Sequence, residues 1–176
     1  MGVRGRRSKK YDDEPTLLND IADIISKAKQ EGLVQGYTVD IKSIIEKNGI
    51  TIKEDNLLPH VSGYLRREDG KWIIGVNKKH HPNRKRYTMA HEFAHYCLHR
   101  DERDSFEDEE IYFRKNHDSS IEFKADEFAA TILMPEDMFR GAIEKGIKSI
   151  KDLADLFSVS VQAIKHRAKG LGYNTK

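Results

Sequence analysis

Arg86-Tyr87-Thr88-Met89-Ala90-His91-Glu92-Phe93-Ala94-His95-Tyr96-Cys97-Leu98-His99 is the stretch that decides the fold, because it holds an H-E-x-x-H pattern at His91, Glu92 and His95. On an α-helix, residues four apart stand on one face a turn from each other, so two imidazoles can offer nitrogens to one metal ion. Glu92 projects beside that ion rather than onto it, which suits a general base that takes a proton from water on the metal. Met89, Phe93 and Cys97 recur at helical spacing, as do Ala90, Ala94 and Leu98. This predicts a helix with one buried side and a second side that presents His91, Glu92 and His95.

Two histidines leave a catalytic zinc site incomplete, since such sites use three protein ligands and keep a fourth position for water. His99 lies eight residues beyond His91, roughly 12 Å along the helix axis, too far for all three rings to meet one ion. It is assigned to the surroundings of the site or to the surface. A metzincin arrangement needs a histidine six residues after His95; Asp101 stands there, which excludes that class.

Upstream, Ile50 and Ile52 alternate with polar neighbours, and Val61 to Leu65 and Trp72 to Val76 are rich in β-branched and aromatic residues around Glu68-Asp69-Gly70. These features predict a strand followed by a hairpin, in a sheet of about three strands against the motif helix. Such a sheet can offer a free edge to an extended peptide, and Trp72 to Val76 is one candidate for it. Leu17, Leu18, Ile21, Ile24, Ile25 and Ala28 follow helical spacing from Pro15 to a stop at Gly32, and a second helix runs near Val39 to Lys47 with Asn48-Gly49 at its end. His80 and His81 break the last strand and are read as loop residues.

Downstream, Asp101 to Glu110 carries seven acids and is read as an exposed loop, a poor source of the third ligand. Beyond it, Ala125, Phe128, Ala129 and Ile132 form a narrow stripe on a helix that Pro135 ends. Glu122 and Asp126 share a face of that helix, and either can reach an ion held by His91 and His95. Ser119 and Glu122 also match a capping box, so spacing leaves Glu122 open between ligand and cap, with Asp126 as the ligand in the second case. A short helix follows from Glu136 to Lys145. From Ser149 to Arg167 two short helices about a Ser158-Val159-Ser160 corner resemble a helix-turn-helix, with Lys165, His166, Arg167 and Lys169 giving the second a basic end.

The chain has 176 residues, net charge +2 and one cysteine, Cys97. This gives room for one core and no internal disulfide, in keeping with a reducing compartment. No apolar run approaches the roughly 18 residues of a membrane span, and the basic N-terminus lacks the apolar stretch of a signal peptide, so a cytoplasmic location and no membrane partner are expected. The organisation predicted is a basic disordered arm over 1–14, a metallopeptidase domain over 15–146 and a helix-turn-helix-like subdomain over 147–176. The basic arm and the C-terminal pair make DNA a candidate partner.

The segment from Val39 to Tyr173 resembles the ImmA/IrrE family of metallopeptidases. The resemblance is carried by Trp72-Ile73-Ile74-Gly75-Val76-Asn77, by Arg86 to His95, by Glu122-x-x-Ala125-Asp126-x-Phe128-Ala129-Ala130 and by Leu133-Met134-Pro135 in that order. It implies a mostly helical, zincin-like α+β fold and a third ligand three residues before the alanine, here Glu122. The implied ligand set is therefore His91, His95 and Glu122, with Glu92 as catalytic base and Zn2+ as cofactor. The chain departs from the family in Asp126, where relatives usually carry asparagine, and in Phe93-Ala94, where they often carry leucine-glycine; the added carboxylate leaves room for Mn2+ or another divalent ion. The substrate implied is a cognate helix-turn-helix repressor, cut under stress or DNA damage. The competing class is a DNA-binding regulator or occluding antirepressor whose metal site does no hydrolysis. His99, His117 and Tyr87 are the candidates for stabilising the oxyanion.

Overall fold

A computed structural model of the chain describes residues 14–101, 105–109 and 119–174. Residues 1–13 of the basic arm, and His117, lie outside them. The described residues form seven helices and six strands, a mixed α+β arrangement. Helix α1 (Glu14–Gln30) leads to a short antiparallel ribbon of β1 (Val34–Gln35) and β2 (Thr38–Val39). Helix α2 (Ile41–Lys47) then begins where the Asp40 side chain accepts from the Ser43 backbone N–H at 3.1 Å, one of the orphan donors of a first helical turn.

Strands β3 (Thr51–Asp55), β4 (Val61–Glu68), β5 (Lys71–Asn77) and β6 (Ser105–Glu109) make a four-stranded sheet in the order β3-β5-β4-β6. The hairpin β4–β5 turns through Asp69 and Gly70 at φ 48° and 78°, the positive values that a two-residue turn matching the twist of its strands requires. β3 joins β5 in parallel, and β6 pairs with the other side of β4. Two expectations are corrected here. The sheet has four strands rather than about three, because part of the acidic run read as a loop pairs with β4. Trp72 to Val76 is internal, not an edge. Charge does not forbid pairing at a sheet edge, where such residues guard against aggregation, so acidic composition hid a strand.

Helix α3 (Pro82–His99) carries the motif and lies against β4 and β5 on one side and α4 (Ser119–Leu133) on the other. Its burial differs from the expected two-sided pattern, since every residue from Thr88 to His95 is buried. A helix enclosed from both sides cannot keep a wet face; its polar residues must be satisfied internally. Ala90, Ala94, Ala125 and Ala129 are fully buried or nearly so, which lets the two helices approach closely, and Phe93 meets Phe128 edge-to-face with ring centroids 6.0 Å apart. On the sheet side, Leu65, Ile74 and Val76 complete the core.

The remaining helices, α5 (Glu136–Glu144), α6 (Ile150–Phe157) and α7 (Val161–Gly170), close the far end. Phe139 and Phe157 stack at 5.7 Å. The corner between α6 and α7 is held by the start of α3: Arg86 donates to the carbonyls of Ser158 and Val39 at 3.1 and 2.9 Å, and Asn83 to that of Val159 at 3.1 Å. Arg167 is buried and donates to the Met134 carbonyl at 2.9 Å and the Thr131 hydroxyl at 3.2 Å, tying α7 to the end of α4. Of the four residues forming its predicted basic end, Arg167 is therefore turned inward, while Lys165, His166 and Lys169 are exposed.

Gly63 sets the spacing between sheet and motif helix. A Cβ there would stand 2.4 Å from Thr88 Cγ2 and 2.6 Å from the Gly75 carbonyl oxygen, closer than real Cβ contacts come. Gly63→Ala is expected to destabilise the protein by about 1–3 kcal/mol, the usual cost of overpacking, and to lower the midpoint of thermal unfolding.

Candidate metal centre

Helical periodicity places the rings of His91 and His95 one turn apart, with Nε2 atoms 3.1 Å from each other and centroids 4.8 Å apart. Helix α4 crosses this face and brings Glu122 to both. Its Oε2 lies 3.2 Å from His91 Nε2 and its Oε1 3.3 Å from His95 Nε2. The carboxylate thus points at the ring pair, the ligand position of the two that spacing left open. These three donors form the group of described residues able to hold a metal ion.

The donor set fits a divalent cation on its own geometry. Ligands at about 2.0–2.2 Å in a tetrahedral array stand about 3.3–3.6 Å from one another. The two Nε2 atoms are 3.1 Å apart and each lies 3.2–3.3 Å from its nearer Glu122 oxygen, so only a small adjustment meets that condition. Two imidazoles and one carboxylate are also the mixed nitrogen and oxygen set that zinc accepts while leaving one coordination position for solvent.

Electrostatics favour the ligating forms. Burial chiefly pushes the His95 pKa below that of an ordinary imidazole, keeping it neutral. Burial opposes ionisation of Glu122, but hydrogen bonds from His91 and His95 outweigh it and hold the carboxyl well below the usual carboxylate range. An ionised glutamate and a neutral imidazole are what metal binding requires.

Asp126 sits on the opposite side of His91. Its Oδ1 is 2.9 Å from His91 Nδ1, while Nε2 of the same ring faces Glu122. A hydrogen bond donated by Nδ1 would leave the Nε2 lone pair for an ion once one displaces the contact with Glu122, so Asp126 is placed to orient this ring and does not share the position of Glu122. Tyr87 donates to the Asp126 carbonyl at 3.2 Å, which steadies this part of α4.

Glu92 is fully buried beside His91, on the side of α3 that meets β4; its Cγ would lie 3.7 Å from a Cβ added to Gly63. His99 is buried, with its ring 5.8 Å from that of His95, so the surface assignment for it does not hold. His81 caps α3, its Nδ1 accepting from the Asn83 backbone N–H at 3.1 Å, a local role consistent with a loop histidine. Cys97 is half-buried against the core.

A cleft of about 560 Å³ opens beside His91. One wall comes from α3 and the start of β4, where Arg84 donates to the Ser62 hydroxyl at 2.9 Å; the other comes from α7, through Gln162, Ala163 and His166. Sequence reasoning missed the contribution of α7. The only signal for it was the pair of long polar residues, Gln162 and His166, spaced one turn apart.

Residues 45–169 match the Peptidase_M78 family model, described as the IrrE N-terminal-like domain. A solved structure of a Mycobacterium tuberculosis transcriptional regulator is similar in fold, with a TM-score of 0.58 and 19% identity over 91% of this chain. The chain spans 47% of that protein's length. No curated protein matches it significantly.

Two outcomes follow from the geometry. Elemental analysis of purified protein should find stoichiometric divalent metal that Glu122→Ala and His91→Ala lose, whereas Asp126→Asn should keep the metal with affinity reduced roughly 10–100-fold, the usual effect of losing a partner behind a ligand. In the metal-free protein, both His95 and Glu122 have folded-state pKa values below their ordinary ones. Each therefore stabilises the fold above its unfolded pKa and loses that contribution as the pH falls through the folded value. The His95 part begins to disappear below the ordinary imidazole pKa of about 6.5, so the unfolding midpoint of the metal-free protein should fall on acidification from about pH 7 to 5.

Proposed function

Because the chain belongs to the Peptidase_M78 family of IrrE N-terminal-like domains, we propose that it is a zinc-dependent endopeptidase of the zincin type. Its proposed substrate is a cognate helix-turn-helix repressor in the cytoplasm, whose cleavage relieves repression under stress or DNA damage. Residues 15–146 would form the catalytic domain and 147–176 its helix-turn-helix-like companion.

The observation that carries this reading is the convergence of His91 Nε2, His95 Nε2 and the Glu122 carboxylate, whose Oε2 is 3.2 Å from the first ring and Oε1 3.3 Å from the second, with Glu92 buried beside His91. His91, His95 and Glu122 would hold the ion. When bound, zinc would supply a Lewis acid for a peptide carbonyl and lower the pKa of a water to roughly 7. Mn2+ or another divalent ion could serve in the same donor set. Glu92 accepts the proton of the attacking water at a carboxylate oxygen and returns it to the departing amide nitrogen. Asp126 keeps His91 in the ligating tautomer through Nδ1. The enclosed setting of α3 excludes bulk water and so strengthens these interactions.

The cleft beside His91 is the place for the substrate chain, at a volume of about 560 Å³, inside the range of roughly 300–1,000 Å³ common for binding sites. A DNA-binding role for α7 is less favoured: Arg167 is buried, and His166 Nε2 lies 2.8 Å from Glu127 Oε1.

Glu92→Gln discriminates hydrolysis from occlusion, because it removes the proton acceptor and keeps the shape. Repressor cleavage, followed by gel or mass spectrometry, should slow by about 10²–10⁴-fold with metal content unchanged. Persistent processing by the metal-loaded variant would sink the peptidase reading.

A further inference from the structure

A second cavity, of about 400 Å³, opens where α1 meets the end of α4, the start of α5 and α7, and it shares no lining residue with the cleft beside His91. Ile21 and Ile25 of α1 and Pro135 are buried and give it a hydrocarbon wall. Ala22, Ser26 and Lys29 are exposed on the same helix at one side of its mouth, with Glu136 and Asp137 exposed at the other. Arg167 lines it from α7, next to its hydrogen-bond partner Thr131.

Arg167 is only 8% exposed, yet no carboxylate meets it. Nε donates to the Met134 carbonyl and Nη1 to the Thr131 hydroxyl, which leaves Nη2 without a hydrogen bond among the described residues. Neither partner is an anion. The two acids of the cavity are matched elsewhere: Asp137 lies 2.8 Å from Lys29, and Glu136 2.7 Å from Arg140. Glu127, the other carboxylate that acts on Arg167, lies 2.8 Å from His166. Burial therefore pulls the Arg167 pKa below the ordinary arginine value, and the attraction of Glu127 and Glu136 does not make up the difference. The dipole at the end of α4 offsets only about half a charge. A guanidinium in this condition gains most from a carboxylate at its open edge, because the planar fork and the two carboxylate oxygens match in geometry.

We propose that this cavity binds a small organic monoanion, a carboxylate on a short hydrocarbon body, with Arg167 Nη2 taking the head and Ile21, Ile25 and Pro135 covering the body. An inorganic anion would compensate the charge and leave the apolar wall to water; a neutral hydrocarbon would cover the wall and leave the guanidinium as it is. Only a ligand that does both uses the whole site. The volume lies inside the range of roughly 300–1,000 Å³ common for small-molecule sites. A ligand seated here touches α1, α4 and α7 together and so stabilises the packing of α1 on the rest of the fold. The inference does not rest on the peptidase reading, since none of these residues belongs to the metal centre.

The test titrates the full chain with hexanoate, with hexanamide as its uncharged counterpart and with inorganic phosphate as an anion lacking the body, by calorimetry and by the unfolding midpoint. Hexanoate should bind once per chain and raise the midpoint, with hexanamide and phosphate at least about tenfold weaker. Amide and methyl NMR shifts of the wild type should move at Ile21, Ile25 and Thr131, which locates the ligand without any substitution. Ala22→Trp, at an exposed position, should close the mouth and abolish binding while Arg167 keeps its two hydrogen bonds; Arg167→Gln should weaken it at least about tenfold. Lys165→Gln removes a cation from the same helix outside the cavity and should leave affinity unchanged. His91→Ala should bind hexanoate as the wild type does, which separates this site from a carboxylate on the metal. No saturation by about 5 mM hexanoate, equal affinity for hexanamide or phosphate, shifts centred on His91 and His95, or full binding by folded Ala22→Trp or Arg167→Gln would each overturn the inference.

Discussion

The grip of two carboxylates on one imidazole ring governs the arrangement of this protein. Glu122 meets His91 at Nε2 and Asp126 meets it at Nδ1, at 3.2 and 2.9 Å. The two acids are four residues apart on α4, so they project from one face about a turn, roughly 5.4 Å, from each other. An imidazole between them fixes where α4 lies along α3 as well as how the ring is turned. His95, one turn further along α3, then falls within reach of the same Glu122 carboxylate without any separate device. A slip of either helix by one residue would break all three contacts together.

So polar a junction inside a core demands close support. His91, Glu92 and His95 are almost wholly shielded, so little water can compensate a misplaced group, and a buried charge without its partner costs several kcal/mol. The small residues of the crossing, Ala90 and Ala94 against Ala125 and Ala129, allow the backbones to approach to the distance the side chains need. Gly63 does the same on the sheet side by leaving space for Thr88. These positions carry no chemistry themselves, yet they set the separation on which it depends.

The site was more legible in the sequence than its surroundings were. The i, i+4 spacing of His91 and His95 is a one-helix property, and the helix formed. Glu122 required a contact between distant segments, so periodicity left its role open and the family resemblance supplied the expectation; the observed geometry turns the carboxylate to the two rings. Asp126 illustrates the limit of local reasoning: spacing put it on the correct face, but which nitrogen of which ring it would meet depends on the crossing of two helices. The hairpin at Asp69-Gly70 was readable because its turn demands positive φ at both residues. Strand β6 was not, because edge strands tolerate the charge that also marks loops.

The basic end of α7 teaches a related lesson about charge. Lys165, His166, Arg167 and Lys169 read as one cluster in the sequence, but the helix distributes them around its circumference, and the fold gives each direction a different environment. Arg167 faces inward to the carbonyl end of α4, where the negative end of the helix dipole and the Met134 carbonyl stabilise its guanidinium. His166 turns toward Glu127 and the cleft. Only the lysines remain as an outward charge. A run of like charges identifies a surface for an acidic partner only if the residues share a face, and at 100° per residue consecutive positions on a helix do not. The chemistry of this helix thus follows from its orientation: it presents polar side chains to the cleft beside His91 and spends its most strongly held cation on staying there.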